Sequence, residues 1–337
     1  MRLPQPRGPI SAALVDALRH PWPHPLSGRA GGPDTGGSVV HDEDLQLALW
    51  ISYELSYRGF DEVDDQWEGA PSLLELRRSL ELRWVAGLRL LAAVPGENDV
   101  APVEVPRALR DLVAADTGPS LANYLQRTAT LDQFREFVVH RSVYHLKEAD
   151  PHSWAIPRLS GRAKAALIEI QADEYGGGRV ERMHSELFRT TMRALDLDDS
   201  YGRYVDQVPA VTLAVGNAMS MFGLNRRWLG AIIGQLAAFE MTSSLPNRRY
   251  GNGLRRLGGD ANATRFYDEH VEADAVHEQI AAQDLCGTYA AEHPEATADI
   301  LFGASSGLAL EREFAAHLLG HWERGASALH TPLTSAA

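Results

Sequence analysis

Phe266-Tyr-Asp-Glu-His-Val-Glu-Ala-Asp-Ala-Val-His277 carries His270, Asp274 and His277 at offsets of four and seven residues. At 3.6 residues per turn these offsets return to nearly the same helix face, so two imidazoles and a carboxylate project together. That is a spacing suited to metal ligation. A solvated helix face on which two histidines fall into register would show the same pattern, so the meaning of the segment depends on what else the chain offers.

Two upstream segments offer more histidine and carboxylate groups in helical contexts. In Lys164-Ala-Ala-Leu-Ile-Glu-Ile-Gln-Ala-Asp-Glu-Tyr-Gly-Gly-Gly-Arg-Val-Glu-Arg-Met-His184, apolar Leu167, Ile168 and Ile170 lead to Glu174, and three glycines then interrupt a pattern that is helical on both sides. Gly176, Gly177 and Gly178 lower helix stability enough to permit an unwound turn, which lets Glu174 and His184 converge without strict helical phase. An ordinary loop is the plainer alternative. In Trp228-Leu-Gly-Ala-Ile-Ile-Gly-Gln-Leu-Ala-Ala-Phe-Glu-Met, Glu240 is the one acid of an apolar helix. Desolvating a lone carboxylate costs several kcal/mol, so Glu240 is expected to meet a cation, either a metal or one of Arg248 and Arg249.

A further carboxylate, Glu148, lies in Tyr144-His-Leu-Lys-Glu-Ala-Asp-Pro-His-Ser-Trp154. Pro151 is expected to end or kink a helix here, which puts Glu148 in a last turn, where the helix dipole disfavours an acid unless a positive group is near. From spacing alone, a salt bridge to Lys147 or Arg141, or plain exposure, is the simpler account.

Glu148, Glu174, His184, Glu240, His270, Asp274 and His277 together form a carboxylate and imidazole set without thiolate, suited to iron or manganese rather than to structural zinc. Seven ligands exceed what one octahedral ion can use while leaving open positions, so two metals are implied, of the kind helical bundles hold between facing helices. Glu181-Arg-Met-His184 and Asp274-Ala-Val-His277 also permit a ferritin-like di-iron bundle, which would make Glu181 a ligand and leave His270 without a role.

With the order Glu174, His184, Glu240 and then His270-x-x-x-Asp274-x-x-His277, the chain resembles the haem-oxygenase-like di-iron oxidases and oxygenases. The resemblance is strong over roughly residues 120 to 285. It implies an all-α fold, a seven-helix bundle preceded by a helical N-terminal region, and carries six metal ligands over: Glu174, His184, Glu240, His270, Asp274 and His277. Within the family the chain is most similar to a branch of amine N-oxygenases that includes N-nitrosourea formation. That branch has an additional carboxylate ligand at the position of Glu148, which turns Glu148 from surface acid into expected ligand. Two Fe ions, O2 as co-substrate and an external electron donor follow from the resemblance, with Glu148, Glu174 and Asp274 as the carboxylates nearest the chemistry. About sixty residues follow His277, too few for a further barrel domain, so rearrangement of an N-hydroxylated product is not expected.

The remaining organisation is read from pattern. Residues 1–41 are rich in Pro and Gly and read as an irregular arm with one short helix near Ala12 to Leu18. Residues 42–117 show apolar residues at helical spacing, 118–325 form the bundle, and 326–337 read as a flexible tail. The resemblance implies that 42–117 serve a homodimer; packing onto the bundle within one monomer is the alternative.

The net charge of −13 argues against nucleic acid and anionic membranes as partners. Arg248, Arg249, Arg255 and Arg256 form one basic cluster. Arg248 and Arg249 could hold a substrate carboxylate, while capping helix ends or pairing with acids is the plainer role. Without a secretory signal or bilayer-length apolar run, and with one cysteine, Cys286, a cytoplasmic protein is expected.

The expected function is O2-dependent oxidation of an amine nitrogen of a small metabolite (an amino acid side chain, guanidine or aminoimidazole) to hydroxylamine and onward to nitroso or nitro. Competing readings are a di-iron oxidase acting on carbon and a helical cofactor-binding protein that does not turn over.

Overall fold

Among the described residues of the computed structural model, 1–26, 38–92 and 99–333, every regular element is a helix; the side chains of 272–275 lie outside that set. In chain order the helices are α1 (Pro9–Leu18), α2 (Glu43–Glu54), α3 (Pro71–Leu91), α4 (Val105–Ala114), α5 (Leu121–Arg127), α6 (Leu131–His145), α7 (Asp150–Ser153), α8 (Gly161–Glu174), α9 (His184–Ala194), α10 (Ala210–Leu224), α11 (Leu229–Arg256), α12 (Ala261–Gln279), α13 (Thr288–Glu292) and α14 (Thr297–Glu323). Between α12 and α13 the chain winds as a π-helix over Ile280–Gly287. The all-α expectation holds, and the arrangement is that of a haem-oxygenase-like bundle.

The core is organised around α10, α11 and α14. Residues Ala210 to Gly223 of α10 are all buried, as expected of a helix that is apolar on every side and must lie inside the bundle. The first ten residues of α11, Leu229 to Ala238, are buried too. Small residues set how closely α11 and α14 approach. A Cβ on Gly234 would lie 2.0 Å from the Ile300 carbonyl oxygen, and one on Gly303 would lie 2.0 Å from that of Ala231. Two backbones are in contact here, so neither helix can accept a side chain without moving apart.

Caps mark where several helices begin. Thr130 and Gln133 satisfy each other's backbone N–H groups at the start of α6, and the Asp260 side chain accepts from the Ala263 N–H at 2.9 Å to open α12. Pro246 lies inside α11. It has no N–H to give to the Thr242 carbonyl, so the hydrogen-bond ladder is interrupted where α11 borders the central cavity.

The N-terminal segments are part of the same packed unit. One hydrophobic cluster runs from Leu3 through Leu47, Trp84 and Phe137 to Leu329, and Asn217 of α10 donates to the Gln46 carbonyl and side chain of α2, both at 2.8 Å. The helix expected near Ala12 begins earlier, at Pro9, and buries Leu14 and Leu18 completely. The Gly31 to Gly37 run lies outside the described residues. At the other end, the stretch read as a flexible tail is packed through residue 329: the Ala328 N–H donates to Glu136 at 3.0 Å, and Ala328 and Leu329 are buried. A buried glutamate, Glu136, and His317, whose Nε2 lies 3.1 Å from the Ala328 carbonyl oxygen, hold it, a long-range match that composition does not reveal. Residues 334–337 lie outside the described residues.

Replacing Gly303 by alanine should destabilise the protein by about 1–3 kcal/mol through forced separation of α11 and α14. Denaturant unfolding of the variant measures this, and unchanged stability would show that the contact can relax.

Candidate metal centre

Four segments converge on the wall of the cavity: the turn after α6, the ends of α8 and α9 that face each other across the glycine turn, the middle of α11, and α12. Glu148, Glu174, His184 and His270 each place one donor atom within 4.8 Å of the others, and Glu174, Glu240 and His277 form a second such group. Glu174 belongs to both. Six of the seven expected ligands are thus brought together. The seventh, Asp274, stands on α12 between His270 and His277, and its side chain lies outside the described residues.

Local structure explains the convergence of Glu174 and His184. Glu174 is the last residue of α8 and His184 the first of α9. Gly176, Gly177 and Gly178 all have positive φ, 63°, 61° and 78°, a region that costs residues with a Cβ. Gly176 is constrained further, because a Cβ there would lie 2.5 Å from the Arg182 carbonyl carbon. The turn brings His184 Nδ1 to 3.0 Å from Glu174 Oε2.

Glu148 is placed differently from the expectation. α6 ends at His145, Glu148 sits in the turn that follows, Ala149 adopts φ 73°, and Pro151 opens the short α7 instead of ending a helix. The simple partners are engaged elsewhere: Lys147 with Glu54 at 2.9 Å and Arg141 with Glu311 at 2.7 Å. Glu148 is 8% exposed and lies 2.7 Å from His145 Nδ1 and 3.7 Å from His270 Nε2.

The ring orientations suit metal ligation. His270 Nδ1 is 2.8 Å from the Phe266 carbonyl oxygen, which can only accept, so Nδ1 carries the proton and Nε2 faces Glu148. His277 Nε2 is 3.0 Å from Asp173 Oδ2, while its Nδ1 lies 3.4 Å from Glu240 Oε2. Histidine ligands are commonly oriented in this way, with the second nitrogen donating to a carboxylate or carbonyl. Glu148 Oε2 and Glu174 Oε2 are buried and accept no hydrogen bond among the described residues, and His184 Nδ1, though close to Glu174, makes none either. Buried oxygens with unfilled lone pairs facing imidazole nitrogens are a site for a cation.

The electrostatics agree. Burial alone would raise the Glu148 carboxyl, but His145 and His270 outweigh it and hold the group well below the usual carboxylate range. Burial opposes charge on Glu174 too, and His184 keeps it lowered. Burial would lower His277, yet Glu240 and then Asp173 lift it to about 9. His184 is raised as well, by Glu174 against the effect of burial, so in the metal-free protein positive charge on His184 and His277 offsets the buried acids beside them.

Other assignments are settled by position. Glu181 is exposed, which removes the ferritin-like ligand set. Arg248 is exposed and Arg249 partly so, and neither is among the residues lining the cavity, where the arginines are Arg141 and Arg312. Arg255 pairs with Asp268, and Arg256 donates to the carbonyls of Leu125, Gln126 and Ala129, so those two cap and pair. Sequence reasoning did not single out His145, His152 or Asp173. His145 and His152 sit in the quoted segment around Glu148 and Asp173 directly precedes Glu174, but only the fold shows that they touch or border the ligand set.

A helical bundle with iron-type donors buried around one shared carboxylate defines a class, the iron-containing redox enzymes. The chain belongs to that family, whose model matches residues 135–312. Among curated proteins it is similar to the nitrosourea synthase of Streptomyces achromogenes subsp. streptozoticus, 28% identical over 153 residues, 45% of this chain. The match spans 32% of that enzyme's length.

Two outcomes follow for metal loading. His277 must lose its proton to bind metal, so Fe(II) or Co(II) affinity should rise by about tenfold per pH unit up to about pH 9 from this group and then level; in the metal-free protein, stability from the charged His277 is full below its ordinary value near 6.5 and lost as pH rises through about 9. Isothermal titration across pH 6–10 checks the first and thermal unfolding the second. Asp173→Asn should weaken metal binding about 10–100-fold without unfolding the protein, and wild-type affinity would remove Asp173 as the group orienting His277.

Proposed function

We propose that this chain is an O2-dependent di-iron N-oxygenase that converts an amine nitrogen of a small metabolite to hydroxylamine and onward to nitroso or nitro. The observation that carries this is the pair of donor groups sharing Glu174, with Glu148 adding a carboxylate to one of them. His184, His270 and Glu148 would hold one ion, Glu240 and His277 the other, with Glu174 between them; the resemblance adds Asp274. Membership of the family supports iron, and similarity to a nitrosourea synthase supports nitrogen as the atom oxidised.

An iron pair, when bound, supplies the electron transfer to O2 that side chains cannot perform. Overall, amine, O2, two electrons and two protons give hydroxylamine and water, so an external reductant is required. The protein's share is positioning and exclusion of water. A cavity of about 430 Å³ reaches the ligands and is lined near them by Tyr144, Phe188, Leu236, Phe239 and Tyr267. Such walls keep a neutral amine desolvated beside the metal ligands and exclude competing water. His152, buried at the same wall and held down to about 4 by burial, stays uncharged at neutral pH and can accept from or donate to the amine without adding charge.

Anaerobic loading should give two Fe(II) per chain, and admission of O2 with substrate and reductant should yield N-oxidised product by mass spectrometry. Glu148→Ala should keep the fold and lose at least about tenfold of this activity. A product oxidised at carbon would favour the di-iron carbon-oxidase alternative instead, and one iron or none per chain would bring forward the helical binding protein that does not turn over. A homodimer is part of the same proposal. α3 turns Leu74, Leu82 and Leu90 outward at 39, 53 and 85% exposure, and light scattering should give twice the chain mass, falling toward the monomer in Leu82→Glu/Leu90→Glu.

A further inference from the structure

A chain with a net charge of −13 has acids to spare for its arginines, yet one face gathers arginines without them. A single 3-10 turn, Arg226–Trp228, joins α10 to α11, and Arg226 and Arg227 are both exposed on it. Arg158 lies against the same turn, donating to the Leu224 carbonyl at 3.1 Å and to that of Gly223. On the other side Asn225 donates to Glu81 of α3 at 2.9 Å, which brings up exposed Arg78. Among the described residues, Arg78, Arg158, Arg226 and Arg227 make no ion pair. The acids whose fields reach Arg227, Glu81 and Asp299, already answer Arg77 at 3.8 Å and Arg89 at 3.9 Å. Burial and then Arg226 lower the Arg158 guanidinium, and burial and then Arg78 lower that of Arg227. Like charges held together in this way repel one another, a repulsion that an anionic partner relieves. The face also backs the ligand set. A Cβ on Gly223 would lie 2.4 Å from the Pro151 carbonyl oxygen, and the chain from Pro151 back to Glu148 spans at most roughly 11 Å.

We propose that this arginine face docks an acidic electron-carrier protein, which delivers one electron per encounter toward the two that the N-oxygenase reaction requires. This rests on the N-oxygenase reading and names the class of its external reductant. Each encounter oxidises one reduced carrier, so two carriers, O2, amine and two protons give hydroxylamine and water. The remaining surface holds the excess of acid and repels such a carrier, and the arginines steer it to the side behind the Glu148 turn. Guanidinium suits the task because it stays charged and pairs with carboxylates through two N–H groups. Trp228 fixes two of the guanidiniums over its ring, Arg227 at 4.7 Å and Arg89 at 5.7 Å. Arg78 shares a helix face with Leu82 and so borders the surface given above to a second chain, which makes Arg226 and Arg227 the residues to test.

The probe is an acidic [2Fe–2S] ferredoxin. Its reduced form is mixed anaerobically with the oxidised, iron-loaded protein, and the second-order rate of electron transfer is followed by ferredoxin absorbance. The wild-type rate should fall about tenfold or more from low to high salt. Arg226→Glu/Arg227→Glu should slow it about tenfold or more at low salt, with iron content and reduction by uncharged hydroquinone unchanged. Arg248→Glu, a charge reversal roughly 30 Å further along α11, should keep the wild-type rate. Arg226→Gln/Arg227→Gln serves if the reversed variant fails to fold, with a smaller loss in the same direction. Calorimetric binding of oxidised ferredoxin to the metal-free chain should rank the variants in the same order without iron. A rate indifferent to salt, wild-type rates in both double variants, or an equal loss in Arg248→Glu overturns the proposal. So does loss of binding to duplex DNA or phosphatidylserine vesicles in the double variants while ferredoxin binding stays. Docking at these arginines without O2-dependent nitrogen oxidation would sink the N-oxygenase reading and leave the face standing; ferredoxin-driven nitrogen oxidation at the wild-type rate in the double variants would do the reverse.

Discussion

Burial of three carboxylates, Glu148, Glu174 and Glu240, on one cavity wall is the constraint the rest of the structure answers. Each costs several kcal/mol to desolvate alone, and together they repel one another. Their close neighbours are imidazoles, His145, His184, His270 and His277, none of which can neutralise a carboxylate while uncharged. The arrangement is stable only with positive charge between the acids and the rings, as protons in the empty protein or as metal in the loaded one. That requirement links metal affinity, pH and folding stability in one site.

Rigid support lies behind the ligands. The turn bearing Glu148 is not helical, so it is held by its surroundings: Lys147 is buried against Glu54 of α2, Arg58 donates to the Leu146 carbonyl at 3.1 Å, and Gln171 of α8 donates to that of Ala149 at 2.9 Å. Tyr201 donates to the other Glu54 oxygen at 2.7 Å, so the buried pair is itself satisfied. The N-terminal helical region thus braces the turn that carries Glu148. α11, which carries Glu240, and α14, which lines the same cavity, are locked together by glycine contacts.

Much of the site was legible because helical periodicity is local. His270 and His277 announce themselves by helical spacing, and Glu240 declares itself as a lone acid in an apolar helix. The three glycines mark the turn that joins Glu174 to His184. Glu148 was legible only through resemblance, since its spacing suggested a surface salt bridge, and the partners that spacing offered, Lys147 and Arg141, are taken by Glu54 and Glu311 from distant parts of the chain. Asp173 was missed because its contact with His277 joins residues on two helices. Arg248 and Arg249 looked like cavity cations for being near Glu240 in sequence, but on a helix eight or nine residues is more than two turns, and the cavity takes Arg141 and Arg312 instead.

By itself the sequence determined the helical class, the imidazole and carboxylate chemistry of the centre, and which helix faces carry it, because apolar periodicity, glycine and proline act over a few residues. The tertiary structure decided which donors come together, which nitrogen of each histidine faces the buried carboxylates, and which charges reach the cavity. Those depend on how closely distant helices approach, and that is set by backbone contacts such as those of Gly234 and Gly303 and by buried pairs such as Lys147 with Glu54, whose partners lie far apart in the chain.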